Sequence, residues 1–186
     1  KKRGLALTRK QVETYVKQKG SKQTFQAIQP ARGKTGAESL DAHWMMHLIV
    51  FVSQPVVVAG KTLRYILLAV NVFNRNLDAL PLQSKEPGEV KEALGRLLTL
   101  ALKKPKFISR DQGLEFKGVV SIYLTQKGIA QKFKDPSDVN GIGVLDKAIP
   151  SWRQRLAQLS TAGGTWASVL PRAVAGITNT PKPGCC

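Results

Sequence analysis

Two apolar stretches, HWMMHLIVFV (residues 43–52) and TLRYILLAVN (residues 62–71), decide the fold class of this chain. Each has the length and the aliphatic content of a buried β-strand, and the segment VAGK (residues 58–61) that separates them is typical of a turn. NLDALPL (residues 76–82) follows as a weaker third strand. Because the three strands lie at hairpin spacing, they predict an antiparallel meander.

After residue 83 the pattern changes from a strand period to a helical one. SKEPGEVKEALGRLLTLALKK (residues 84–104) has a proline where the first turn tolerates it and a stripe of leucines, which predicts an amphipathic helix. Short strands and helices are then predicted in turn at 106–110, 115–128, 129–134, 143–159 and 165–178. Pro150 and Pro171 are expected to interrupt the last two helices. The order β-β-β-α-β-α-β-α-α predicts an α/β fold with a mixed five-stranded sheet flanked by helices.

The charge of the chain is strongly basic and unevenly spread. Of 186 residues, 29 are Lys or Arg and 12 are Asp or Glu, for a net charge of +17. Residues 1–36 hold ten basic residues and one acidic residue, and residues 101–186 hold thirteen and five. A basic N-terminal arm, with a helix predicted over residues 8–19, and a basic C-terminal half predict contact with nucleic acid. No apolar run is long enough for a membrane helix, so no membrane insertion is expected.

The residues expected to contact phosphates lie in the arm and beside the last two predicted strands. Lysine and arginine neutralise phosphates without reading the base sequence. The predicted contacts are Lys1, Lys2, Arg3, Arg9, Lys10, Lys17, Lys19, Lys22, Lys103, Lys104, Lys106 and Lys132.

Several segments, taken in order, resemble the catalytic cores of retroviral and retrotransposon integrases. They are RYILLAVNVFNR with LDALPLQSKEPGEVKEAL, FISRDQGLEFKG, DPSDVNGIGVLDKAI, and WASVLPRAVAGITNTPKPG. The resemblance covers about residues 40–183 and implies a ribonuclease-H-like fold. The predicted organisation is a basic arm with a short helix (1–39), an integrase-core-like domain (40–180) and a tail (181–186).

The resemblance also implies a catalytic site of three carboxylates that hold two divalent metals. Asp111, in RDQGLEF, matches the second acid, and Asp146, in VLDKAI, matches the third. The first acid is expected three residues after Trp44, where this chain has His47. Asp111 and Asp146 also have simpler interpretations, because an acid can stabilise a turn or suit the start of a helix.

Three interpretations of His47 stay open. A neutral imidazole has one free lone pair and cannot bridge two metals, so the first is an active site that has been lost. The second is a working variant with a different metal or with an unidentified donor in place of the acid, because nitrogen suits transition metals better than Mg²⁺. The third is a shifted register in which His47 is an ordinary strand residue. The first is favoured, so no metal or other cofactor is predicted, and Mg²⁺ or Mn²⁺ is expected only for an active enzyme.

The favoured function is therefore that of a retroelement-derived, catalytically inactive integrase-like domain. It is expected to bind nucleic acid, or to serve as a structural component of a larger assembly with other protein subunits, such as a ribonucleoprotein. One alternative is an active metal-dependent integrase or transposase that joins DNA strands, and another is a protein-interaction scaffold. The sequence leaves the choice between DNA and RNA open. It also leaves the compartment open, since a nucleus and an organelle reached by a cleaved transit peptide both fit.

Overall fold

The computed structural model describes Thr8, Lys10 and residues 36–101, 103–133 and 143–178. The chain divides into two compact units, Lys1–Arg32 and Gly33–Cys186. The helix predicted over residues 8–19 lies outside the described residues apart from Thr8 and Lys10, as does the tail predicted at 181–186. The domain limits expected at 39 and 180 stay a prediction.

Seven strands form two sheets in the described part of Gly33–Cys186. The strands are β1 (His43–Val50), β2 (Val56–Val58), β3 (Lys61–Leu63), β4 (Tyr65–Asn71), β5 (Leu77–Leu82), β6 (Phe107–Arg110) and β7 (Ala130–Phe133). The main sheet has five strands in the order β5-β4-β1-β6-β7. β4 is antiparallel to β1 and to β5, whereas β6 is parallel to β1 and to β7. The predicted mixed five-stranded sheet is therefore confirmed.

The second predicted strand, 62–71, is wrong at its beginning. Lys61–Leu63 pairs with Val56–Val58 in a separate two-stranded hairpin, and the strand of the main sheet begins at Tyr65. Ala59 and Gly60, at the tip of this hairpin, have φ angles of 49° and 77°. A tight two-residue hairpin turn of this twist requires positive φ at both positions, which glycine adopts without strain. The apolar run alone did not indicate that the chain changes sheet within it.

Among the described residues, four α-helices cover the sheet. They are α1 (Pro87–Leu100), α2 (Val119–Gln126), α3 (Gly143–Thr161) and α4 (Trp166–Thr178), and a 3₁₀ turn (Leu114–Phe116) precedes α2. The boundaries predicted for the first two helices were too wide, because α1 ends before Lys103 and α2 begins only after Gly118, whose φ is 59°. Among the described residues, no helix is long and apolar enough to cross a membrane.

The expected interruptions at Pro150 and Pro171 are wrong. Both prolines lie inside continuous helices, α3 and α4. Both are exposed, while Trp152 and Leu170 close by are buried. A proline inside a helix removes one backbone hydrogen bond at a cost of about 3 kcal/mol. We infer that burial of the apolar residues around each proline holds the helix against the sheet in spite of that loss.

The main sheet separates two apolar layers. Met45 and Ile49 of β1 pack in one layer with residues of α3 and α4. Trp44, Met46 and Leu48 pack in the other with residues of α1 and α2. Successive residues of a strand point to opposite faces. The two histidines of β1 therefore share the face of Met45, towards α3 and α4.

Candidate functional site

His47 of β1 lies beside Asp111, the residue that directly follows β6. The parallel register pairs His43 with Phe107 and Met45 with Ser109. Two residues further on, the same register places His47 opposite Asp111, and their side chains leave the sheet on the same face. The distance from His47 Nδ1 to Asp111 Oδ2 is 3.4 Å, and about a third of each side chain is exposed.

Both oxygens of the Asp111 carboxylate have neighbours. Oδ2 faces His47, and Oδ1 accepts a hydrogen bond of 3.2 Å from the backbone N–H of Gly113. The His47 contact is the largest cause that lowers the pKa of Asp111; burial opposes it, and the Gly113 N–H and the charge of Arg110 lower the pKa further. At 3.4 Å the His47 contact is longer than a usual N–H···O hydrogen bond, so we regard it as mainly electrostatic. Asp111 thus stabilises the turn after β6 and remains ionised.

Asp146, the third predicted acid, lies in the first turn of α3 and is exposed. A carboxylate there is favoured by the helix dipole, as its simpler interpretation supposed. Within the described residues, no group of three or more His, Cys, Asp and Glu side chains lies close enough to hold a metal ion.

The chemistry of the paired donors does not fit two bridged magnesium ions. Mg²⁺ prefers oxygen ligands in a near-octahedral arrangement. In β1, at the position where the first acid was expected, His47 supplies a nitrogen with one lone pair. This lone pair cannot be shared between two metals. The neighbouring carboxylate of Asp111 is also occupied by His47 and by the backbone N–H of Gly113.

Arg110, which immediately precedes Asp111, is fully buried and was not predicted as a site residue. Its Nη2 donates hydrogen bonds of 2.7 Å to Ser121 Oγ of α2 and to Gln131 Oε1 of β7. Its guanidinium carbon lies 4.6 Å from the ring centroid of Phe133. Arg110 therefore links the end of β6 to β7 and α2.

Because Arg110 is held by Ser121 and Gln131 and directly precedes Asp111, it also holds the backbone of Asp111 in place. The sequence does carry a signal for the buried Arg110. In the segment FISR, Arg110 follows Ile108 by two residues, so both side chains point to the same buried face of β6. A charged residue on the buried face of a strand requires partners and is seldom there by chance.

His43, the other histidine of β1, is a buried structural residue. Its Nε2 lies 2.8 Å from Ser109 Oγ, and its ring stacks on Phe107 with centroids 4.1 Å apart. Burial, followed by the charges of Lys132 and Arg75, lowers the pKa of His43 from 6.5 to about 4. His43 is therefore neutral near pH 7.

The titration of His43 predicts a loss of stability in mild acid. The pKa of His43 in the folded state is about 4, below the 6.5 expected when unfolded, so between these values only the unfolded chain binds the proton. The free energy of unfolding should therefore fall as the pH decreases from about 6.5 to 4, by up to about 3 kcal/mol from this group. Urea denaturation at a series of pH values measures the effect.

The matched control for this titration is the double variant His43→Phe/Ser109→Ala, which removes the imidazole together with its buried partner. Its stability should vary less over this pH window than that of the wild type. An unchanged pH dependence in the double variant would contradict the assignment.

Four of the predicted phosphate contacts lie just before β6 or within β7. Lys103, Lys104 and Lys106 are in the segment between α1 and β6, Lys132 is in β7, and all four are exposed. Lys10 is also exposed. The other predicted contacts, Lys1, Lys2, Arg3, Arg9, Lys17, Lys19 and Lys22, lie outside the described residues.

The strand order and the helical layers together define an integrase-core-like fold of the ribonuclease H type. The catalytic core domain of BIV integrase has this fold, with a TM-score of 0.63 and 16% sequence identity over 76% of this chain and 86% of that chain. A chain in the structure of the simian T-cell lymphotropic virus intasome in complex with PP2A regulatory subunit B56 gamma has it too. There the TM-score is 0.61 and the identity 13%, over 83% of this chain and 62% of that chain.

These likenesses are likenesses of fold, since both identities are low. The chain spans less than two thirds of the matched intasome chain. No protein-family model matches the chain, and no curated protein sequence is significantly similar to it.

Proposed function

We propose that this domain is a retroelement-derived integrase core that has lost metal-dependent catalysis and acts by binding nucleic acid within a larger assembly. The observation that carries the loss of catalysis is the contact between His47 and Asp111, with 3.4 Å between Nδ1 and Oδ2. Two-metal phosphoryl transfer needs an anionic ligand that both metals share. An imidazole in that place supplies neither the negative charge nor the second lone pair.

The basic charge supports the binding role. A net charge of +17 on 186 residues favours a polyanionic partner and attracts it over a distance. One of the chains with the same fold comes from an intasome in complex with a protein partner. That setting supports a role for this domain as a component of an assembly, alongside other protein subunits.

Replacement of His47 tests the loss of catalysis. In a strand-transfer and nicking assay with Mg²⁺ or Mn²⁺, we expect no metal-dependent product from the wild type. His47→Asp should increase the affinity for Mn²⁺, because it places a second carboxylate beside that of Asp111. Isothermal titration calorimetry measures this gain in affinity. A gain of at least tenfold over the wild type is the expected size, since one well-placed charge pair contributes about 1.4 kcal/mol or more.

His47→Asn is the matched control, because it removes the imidazole without adding a charge. It should not increase metal affinity. Metal-dependent DNA joining by the wild type, abolished in Asp111→Asn, would contradict the proposed loss of catalysis and favour the active alternative.

A further inference from the structure

Three exposed lysines precede β6 at one end of the main sheet, and a fourth lies on the neighbouring strand β7. They are Lys103, Lys104, Lys106 and Lys132, and we call them the amino-end lysines. β1, β6 and β7 are parallel, so their first residues, His43, Phe107 and Ala130, lie along a single edge. Three of the lysines directly precede β6 at this edge, and Lys132 is the third residue of β7.

The backbone beneath these lysines is firmly held. The N–H of Lys106 donates to the carbonyl of Asp41 at 2.6 Å, and the carbonyl of Lys106 accepts from Ala130 N–H at 2.9 Å. Lys106 therefore joins the starts of β1 and β7, and the preceding Pro105 is buried. The Lys106 side chain is nevertheless 72% exposed. A fixed backbone with an exposed ammonium group can bind an anion without reorganising the fold.

The charges of Lys103 and Lys106 act on Asp41, which lies just before β1. Lys106 Nζ lies 4.0 Å from Asp41 Oδ2, while the hydroxyl of Ser39 donates to the same carboxylate at 2.7 Å. The Ser39 hydroxyl is the largest cause that lowers the pKa of Asp41, and the charges of Lys106 and Lys103 add to it. An exposed ion pair of this kind is weak, so Lys106 can exchange Asp41 for a phosphate at little cost.

The three lysines before β6 are separate from the His47–Asp111 contact, whereas Lys132, which pairs with Ser109, lies between the two. His43 and His47 are four residues apart on β1, which corresponds to about 13 Å along an extended strand. At physiological salt, charges interact weakly beyond about 8 Å. The neighbouring side chains that shift the pKa of Asp111 are His47 and Arg110, whereas Lys132 shifts that of His43.

We infer that the amino-end lysines bind the phosphodiester backbone of a nucleic acid, which thus passes the amino ends of β6 and β7 and does not cross the His47–Asp111 contact. This inference rests on the nucleic-acid-binding role proposed above and assigns it a place on the domain. Lysine ammonium groups are compact point charges that suit phosphate oxygens in any base sequence. Binding is therefore independent of sequence and strongly dependent on salt.

The salt dependence of binding measures this contact. Fluorescence anisotropy of the full chain with labelled duplex DNA, duplex RNA and single-stranded RNA of equal length, over a series of salt concentrations, yields the slope of log K against log salt. For the variant Lys103→Gln/Lys104→Gln/Lys106→Gln/Lys132→Gln, the magnitude of the slope should fall by about 3 to 4 on duplex DNA, or about 3 on a single strand. The probe that the wild type binds most tightly at physiological salt distinguishes DNA from RNA as the source of the phosphates.

The matched control is the variant Lys61→Gln/Lys85→Gln/Lys91→Gln/Lys147→Gln. It also removes four positive charges, but from other parts of the surface. Lys61 lies in the separate hairpin, Lys85 and Lys91 lie at the start of α1, and Lys147 lies beside Asp146 on α3. For this control, the slope of log K against log salt should stay within about 1 of the wild-type slope.

The outcomes separate the inference from the function on which it rests. An equal fall in both variants would mean that only net charge matters, and a larger fall in the control would place the nucleic acid on the control lysines instead. Either result overturns the inference while leaving nucleic-acid binding intact. Failure of the wild type to bind any of the three probes at low salt would overturn both. Circular dichroism of each variant checks that the fold is retained.

Discussion

Replacement of Trp152 with alanine is expected to lower the free energy of unfolding of the domain by about 3–5 kcal/mol. Trp152 is fully buried in α3, within the apolar layer between the sheet and the two C-terminal helices. Alanine would lose the transfer free energy of the indole and leave a cavity that the packed layer fills only in part. Because a domain of this size is stable by roughly 5–15 kcal/mol, such a loss brings it close to unfolding at 37 °C.

Urea denaturation with the variants Trp152→Phe and Arg153→Ala as controls tests this prediction. Phenylalanine keeps an aromatic ring and removes an indole N–H that has no hydrogen-bond partner in the described part of the chain, so it should cost about 1–2 kcal/mol. Arg153 is the exposed neighbour on the same helix, and its replacement should change stability by less than about 0.5 kcal/mol. A loss below about 1 kcal/mol for Trp152→Ala would contradict its place in the core.

Replacement of Arg110 with alanine should have the second largest effect, a loss of about 3–5 kcal/mol. The change removes two hydrogen bonds of 2.7 Å, to Ser121 and Gln131, and empties the space beside the rings of Phe116 and Phe133. Hydrogen bonds made by charged groups contribute about 1.5–3 kcal/mol each, and the orphaned acceptors add to the loss. Thermal or urea denaturation measures it.

Arg110→Met separates packing from charge. Methionine fills most of the same volume with an apolar chain, so it should cost less than alanine, about 1–2 kcal/mol. Both variants remove the charge that helps to lower the pKa of Asp111, so that pKa, followed by NMR of the carboxyl carbon, should rise in both. A stable Arg110→Ala protein with an unchanged Asp111 pKa would contradict the role assigned to Arg110.

The order of the main-sheet strands and helices could be predicted from the sequence because it depends on local periodicity. The apolar runs around Met45 and Leu67 have strand length, and Val90, Leu94, Leu97 and Leu98 repeat at helical spacing. The α/β class and the mixed sheet followed from that order. The positions expected for His47 and Asp111 also lie side by side, although their roles stay predictions.

The remaining features depend on contacts between residues distant in sequence. Nothing local distinguishes Leu63, in the small hairpin, from Ile66, in the main sheet, because the two sheets differ only in their partners. The partners of Arg110 are 11 and 21 residues away. Likewise, the continuity of α3 through Pro150 depends on burial against the sheet, which outweighs local helix propensity.

The position of β7 has a consequence for solubility. Within the described residues it is the outermost strand of the sheet, so one side of its backbone lacks a neighbouring strand. Exposed edges of this kind let chains add to one another and aggregate. β7 is only four residues long, and its exposed Lys132 makes the approach of a second, equally basic chain unfavourable. The lysine assigned to phosphate binding thus also protects the domain from aggregation while no nucleic acid is bound.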